Sequence, residues 1–307
     1  MKYIFGPVPS RRLGFSLGLD LVPFKTCSYD CIYCELGRTT HLSIEPAYYV
    51  TAKEILKELE DFFAENHPHI DFITIGGSGE PTLNKHLEEI ILSVKALSKV
   101  PVAVLTNGSL FWQKDIIKAV SLADVVLPSL DTVSYDTWKR LNRPHPMLKL
   151  DKIIEGLKDF RQQYDGKIWL EILFVKGIND NESEIFALKS ILNEILPDKI
   201  HLNTVVRPPA EANVLALNFE EMKRIKEMIG EKAEIIVDFK GEIIDIGTKD
   251  IEERLIAILK RRPCTLNDII YALGVRKTTV IKLLELYERK KRIDSYLYQG
   301  QKYYLIR

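Results

Sequence analysis

Cysteine is scarce in this chain. Only four of 307 residues are cysteine, too few and too unevenly placed for a disulfide framework. Long apolar runs are missing too. No stretch approaches the roughly 20 residues that span a bilayer, so no membrane partner is expected. The opening "MKYIFGPVPSRRLG" lacks the apolar core of a secretory signal, and a cytoplasmic location is the expectation. No repeat of fixed period and no low-complexity segment occurs. Net charge is also absent: 43 Lys and Arg balance 43 Asp and Glu. The balance is uneven, however. Residues 250–307 hold 13 Lys/Arg against 7 Asp/Glu, leaving 30 against 36 in the rest. A basic tail on an acidic body fits a polyanionic partner, and equally fits a solvated helix surface.

What is present is an ordinary globular composition, 46% hydrophobic and 28% charged, with length enough for two domains. The body repeats a short β-branched run, a polar or Gly-rich loop and an amphipathic segment. Strands are expected at 15–23, 70–77, 100–108, 123–131, 167–177 and 199–206. Helices are expected at 51–66, 84–99, 112–122, 134–142 with 149–164, and 181–196, with Thr51 and Asn84 at cap positions. Leu56, Leu59, Phe62 and Phe63 repeat at helical spacing and should face a core. Alternation of this kind means parallel pairing through right-handed crossovers. The expected class is α/β: a partial (β/α)6 TIM-like barrel over residues 1–240, with an open doubly wound sheet as the alternative. A helix at 218–230 and a strand-like 233–239 close this body.

Residues 241–307 read differently. "KGEIIDIGTKD" is a linker; three helical segments and a hairpin about Gln299-Gly300 follow. This is the layout of a small C-terminal winged helix-turn-helix domain. Arg276, Lys277, Thr278 and Thr279 open its third helix, and "ERKKR" (288–292) precedes the hairpin. RNA or DNA is therefore a candidate partner; a peptide-recognition or dimerisation role is the other reading.

Three of the four cysteines crowd into "CSYDCIYC": Cys27, Cys31 and Cys34. Structural zinc usually draws four ligands, often as two separated pairs. No second pair exists here, and His41 would have to be the fourth ligand. An iron–sulfur cube normally takes four thiolates. A trio would hold three irons of a [4Fe–4S] cluster and leave one open to a small chelating ligand. Cys264 stands alone and is expected to be a packed or exposed thiol. The other motifs, "GGSGEP", "TNG", "PSLD" and "KGIND", all follow expected strands. That is where α/β folds build sites.

CxxxCxxC after the first strand of a (β/α) chain resembles the radical S-adenosylmethionine (radical SAM) superfamily. The resemblance implies that a [4Fe–4S] cluster on the trio chelates S-adenosylmethionine through its open iron. Reductive cleavage would give a 5′-deoxyadenosyl radical that abstracts hydrogen from a substrate. It implies a reductant such as ferredoxin or flavodoxin. Tyr33 matches the aromatic residue beside the adenine. "GGSGEP" resembles the motif for the methionine amino end: Gly76, Gly77 and Gly79 allow close backbone approach, and Glu80 pairs with the ammonium. Thr106 and Asn107 end the third strand; Ser129 and Asp131 suit the carboxylate and ribose hydroxyls; Glu171 and Asn179 are further candidates. "GPVPSRRLGFSLGLDLVPFKTCSYDCIYC" resembles the iron–sulfur oxidoreductases classed beside wyosine-base synthases, which modify tRNA, although their extra cysteine trio is lacking. RNA or tRNA modification is one expected function. A radical enzyme acting on a peptide, protein or small molecule is another, and a DNA-binding cluster sensor a third. Arg11, Arg12 and Arg207 lie where they can hold an anion at the barrel mouth.

Overall fold

A computed structural model describes residues 2–64, 69–236, 251–275 and 277–306. The expected linker at 240–250, the end of the strand-like 233–239, and Arg276 lie outside the described residues.

An antiparallel hairpin comes first, β1 (Ile4–Ser10) with β2 (Gly14–Leu19). The two-residue strands β3 (Thr26–Cys27) and β4 (His41–Leu42) pair with each other. Helices and strands then alternate: α1 (Ala52–Ala64), β5 (Phe72–Ile75), α2 (Leu87–Leu97), β6 (Val102–Thr106), α3 (Lys114–Val120), β7 (Val125–Pro128), α4 (Tyr135–Leu141), α5 (Leu150–Gln163), β8 (Lys167–Phe174), α6 (Glu182–Ile195), β9 (Lys199–Thr204), α7 (Phe219–Ile229) and β10 (Ala233–Ile235). The sheet runs β1-β2-β5-β6-β7-β8-β9-β10, and every pair after the first hairpin is parallel. Side chains from β1, β2 and from β5 through β9 line one cavity, so the sheet curls around it. β1 and β10 are its edges. The expected partial (β/α) barrel is what forms, the six expected strands being β2, β5, β6, β7, β8 and β9, with the short β10 adding a seventh parallel strand at the edge.

Burial explains the strand composition. Ile73, Ile75, Val102, Val104, Val125 and Val126 are all buried, since helices cover one face and the barrel interior the other. In α1 the core stripe is Ile55, Leu59 and Phe62, at i, i+4 and i+7. Leu56 and Phe63, expected in the core, are only half-buried at its margin. Thr51 caps α1 as expected, its hydroxyl accepting from the Glu54 amide. Asn84 does not cap α2. It is buried, and its side-chain amide donates to the Leu21 and Val50 carbonyls, tying three segments together. The unexpected element is β1, whose Pro7 and Pro9 argue against a strand. Prolines are tolerated there because β1 is an edge, and a bulge falls between Phe5 and Val8.

The tail comprises α8 (Ile251–Leu259), β11 (Cys264–Thr265), α9 (Leu266–Leu273), α10 (Lys277–Arg289), β12 (Ile293–Tyr298) and β13 (Gln301–Ile306). Three helices and a final hairpin are the expected elements. Gln299 and Gly300 both take positive φ, as a two-residue hairpin turn requires. Cys264 is fully buried in the tail's own core. Val8 belongs to that core, with Phe5 packed against it, so the tail sits on β1. Tyr303 Oη also donates to the Val206 carbonyl at 2.8 Å, just beyond β9.

Candidate active site

The entry to the cysteine loop is pinned by two backbone bonds. The Lys25 amide donates to the Ser78 carbonyl (2.7 Å), and the Glu80 amide to the Thr26 carbonyl (3.0 Å). These two bonds lay the loop along "GGSGEP". Gly79 makes that possible: a Cβ there would sit 1.9 Å from the Thr26 carbonyl oxygen, far inside contact distance. Each thiol has a nitrogen donor. Asn107 Nδ2 lies 3.5 Å from Cys27 Sγ, Asn142 Nδ2 lies 3.5 Å from Cys31 Sγ, and Lys25 Nζ lies 3.2 Å from Cys34 Sγ. Burial first, and the charge of Glu80 second, push the Cys27 thiol up to about 12. Burial and the charge of Asp131 likewise raise Cys31 well above its ordinary value. Burial thus favours the protonated thiol at both positions.

Glu80 is a hub. Its Oε1 accepts from the Thr82 amide (3.1 Å), Thr82 Oγ1 (2.6 Å) and Thr106 Oγ1 (2.7 Å); Oε2 accepts from the Asn107 amide (2.7 Å). It is buried, and burial raises its pKa against those four donors. A carboxylate has about four lone-pair sites, two on each oxygen. Oε2 keeps one for a further donor. Asn107 also donates to Ser28 Oγ at 2.8 Å, so the end of β6 reaches the cysteine loop directly.

Asp131 is the second hub. Its Oδ2 accepts from Tyr33 Oη (2.5 Å) and Asn142 Nδ2 (2.7 Å), and its Oδ1 from the Leu173 amide (2.9 Å). It thereby orients Tyr33, and burial raises its pKa. Ser129 pairs with Glu171 in an isolated bridge, and both line the cavity. Asn179 does not line it. Its side chain accepts from the Val175 amide and donates to the Asp131 and Leu173 carbonyls, locking the turn after β8. His41 is exposed on β4. Among the described residues no three His, Cys, Asp or Glu side chains are grouped to hold one metal ion.

Arginines also line the cavity. Arg12 pairs with Glu171, whose other oxygen accepts from Asn203 Nδ2 at 2.9 Å. Arg11 donates to Asn203 Oδ1 at 3.0 Å. Arg207 meets Glu35 at 3.0 Å. Burial first, then the neighbouring Arg11, bring Arg12 down to about 9. Burial alone would raise Glu35; Arg207, Arg262 and Arg11 outweigh it and hold the carboxyl at about 2.

The cavity encloses about 390 Å³, within the range of small-molecule sites. The sequence-expected residues Cys27, Cys34, Tyr33, Gly76, Gly77, Gly79, Glu80, Thr106, Asn107, Ser129, Asp131 and Glu171 all border it. Lys25, Asn142 and Asn203 were not foreseen. Lys25 carries a signal, standing two residues before Cys27; Asn142 and Asn203 carry none, because only folding brings them to the site. The residues present suit a cube held by three thiolates: three cysteines on one loop with a donor beside each, and a pocket for a ligand of the open iron that Cys27 and Cys34 border, Cys31 lying outside its lining.

Fold and site thus define a class, a partial (β/α) barrel whose cysteine loop stands at the strand C-termini over a cofactor-sized cavity. The profile of the Radical SAM superfamily matches residues 21–188. The chain belongs to that superfamily, whose members use a [4Fe–4S] cluster and S-adenosylmethionine. A UPF0026 protein of Methanocaldococcus jannaschii is 33% identical over 99% of this chain and 96% of its own length. A protein named GTPase Obg, of Brachyspira hyodysenteriae, is 38% identical over 96% of this chain but only 43% of its own length. The chain spans less than half of that relative, and it contains no GxxxxGK[ST] phosphate loop. Among solved structures, TYW1 with a lysine-pyruvate adduct aligns at TM-score 0.51 and 18% identity, over 73% of this chain and 75% of that one. That likeness is one of fold.

Proposed function

We propose that this chain is a radical enzyme in which Cys27, Cys31 and Cys34 hold three irons of a [4Fe–4S] cube. S-adenosylmethionine would occupy the adjoining cavity. The observation that carries the reading is the set of separate nitrogen donors, Asn107, Asn142 and Lys25, one beside each thiol. Hydrogen bonds to cluster sulfur tune its potential. Held by these three cysteines, such a cluster would supply the reducing electron for radical hydrogen abstraction.

The chain's own residues position and exclude. Gly76 and Gly77 border the cavity at the methionine amino end while lying close against Leu105, Asp20 and Phe5, and Glu80 Oε2 accepts from the ammonium. Tyr33, fixed by Asp131, packs beside the adenine. Ser129 and Glu171 face the ribose side. Asn179 acts at one remove, by holding the strand end that carries the Leu173 amide to Asp131. A ferredoxin or flavodoxin is the proposed reductant.

RNA as substrate is a second reading. Lys277, Arg289, Lys290, Lys291 and Arg292 are exposed on the tail, and such a surface meets phosphates. A tRNA shift that weakens steeply with salt supports it; no shift at low salt removes it. The radical reading is tested with Cys31→Ala. The variant is expected to take up no cluster and to form no 5′-deoxyadenosine under anaerobic reduction. Full activity in that variant contradicts the assignment.

A further inference from the structure

Resting on the radical reading, we infer that the cavity binds a substrate carrying a terminal phosphate, gripped by Arg11, Arg12, Arg207 and Arg262, so that the C-terminal segment completes the site.

Three separate segments deliver these arginines. Arg11 and Arg12 stand at the turn between β1 and β2, Arg207 follows β9, and Arg262 lies between α8 and β11. All four border the same cavity. The tail is fixed there by bonds unrelated to any ligand. Arg261 lies over the Phe5 ring (4.4 Å), pairs with Asp20 (3.6 Å) and donates to the Lys2 carbonyl (3.2 Å). Arg207 also lies 3.9 Å from Asp268 of α9. Arg262, next in the chain, borders the cavity, and its charge acts on Glu35.

Charge and shape then select the ligand. Arg11, Arg12, Lys25, Arg207, Arg261 and Arg262 line the cavity against Glu35, Glu80, Asp131 and Glu171. With Arg261 neutralised by Asp20, cations exceed carboxylates by one, and an anionic ligand restores the balance. A phosphate monoester carries close to two negative charges near neutral pH, whereas each backbone phosphodiester carries one. Guanidiniums from three segments, of which Arg12 and Arg207 are paired with Glu171 and Glu35, suit a tetrahedral oxyanion that several of them can share; a planar carboxylate is filled by one fork.

Inorganic phosphate is the probe, titrated calorimetrically into the anaerobically reconstituted full chain at constant ionic strength. Succinate and an RNA oligonucleotide without terminal phosphate are the comparison arms. Saturable phosphate binding is expected, and each of Arg262→Gln and Arg11→Gln should weaken it about tenfold or more, the loss of a charge-assisted bond. Arg262→Lys should recover part of the loss, and the thermal midpoint of each variant identifies any that fails to fold. Undiminished phosphate binding in both folded Gln variants overturns the proposal. So does tighter binding of succinate or of the RNA. Because binding needs no turnover, 5′-deoxyadenosine formation in the same preparations is an independent readout. Cleavage without phosphate binding defeats this inference alone; phosphate binding without cleavage defeats only the radical reading.

Discussion

Gly79→Ala should uncouple the cysteine loop from the barrel. The new methyl would lie 1.9 Å from the Thr26 carbonyl oxygen and 2.9 Å from its carbon, both backbone atoms. Relief to ordinary contact needs a retreat of about 1.5 Å. That breaks the Glu80-to-Thr26 and Lys25-to-Ser78 bonds, 3.0 and 2.7 Å long. Two such bonds contribute about 0.5–1.5 kcal/mol each, and overpacking adds about 1–3 kcal/mol. The expected loss is about 2–6 kcal/mol, or roughly 4–12 °C at about 2 °C per kcal/mol for a chain of this length. Thermal unfolding of the metal-free protein measures it, and iron per chain after reconstitution measures the displacement of Cys27. Gly77→Ala is the milder control, since its methyl meets the side chains of Asp20 and Phe5 at 3.2 Å. If Gly79→Ala melts within about 1 °C of wild type and holds as much iron, the docking argument is wrong.

Two further outcomes follow from buried polar groups. His201 is buried with no partner on Nδ1, and burial, with Arg12 adding, lowers its pKa to about 4. The unfolded chain therefore takes up the proton first, below its ordinary value near 6.5. This contribution is complete above that pH and is lost as pH falls toward 4, by up to about 3 kcal/mol. Urea midpoints at pH 7 and pH 5 should converge in His201→Leu relative to wild type; an unchanged difference contradicts the assignment. Asp131→Asn puts an NH2 group among three donors, Tyr33 Oη, Asn142 Nδ2 and the Leu173 amide. One buried donor then faces another, at about 1–3 kcal/mol, read as a lower urea midpoint. Equal midpoints would mean that Asp131 is already protonated in the wild type.

The parallel core was legible because its strands are nearly all apolar and its loops carry the polar motifs. β1 was hidden by Pro7 and Pro9, which a central strand excludes but an edge accepts. Asn84 looked like a cap from its place before an apolar run; its actual partners, Leu21 and Val50, are distant in sequence. The thiol trio stood out by its spacing, and the glycines and Glu80 were singled out through the family resemblance. What spacing could not give was the function of Gly79, which accommodates the chain's own Thr26 carbonyl. Nor could it give Asn142 or Asn203, single polar residues with no motif around them. The tail's place against β1 was illegible for the same reason. Its contacts run from Arg261 to Lys2 and from Tyr303 to Val206, pairings that only the folded chain creates.

Anaerobic reconstitution followed by chemical reduction with S-adenosylmethionine tests the central claim most directly. Close to four irons and four sulfides per chain, with 5′-deoxyadenosine released only by reduced protein, is the expected result. Protein that takes up zinc but no iron or sulfide, or that carries a cluster and leaves S-adenosylmethionine intact on reduction, would contradict it.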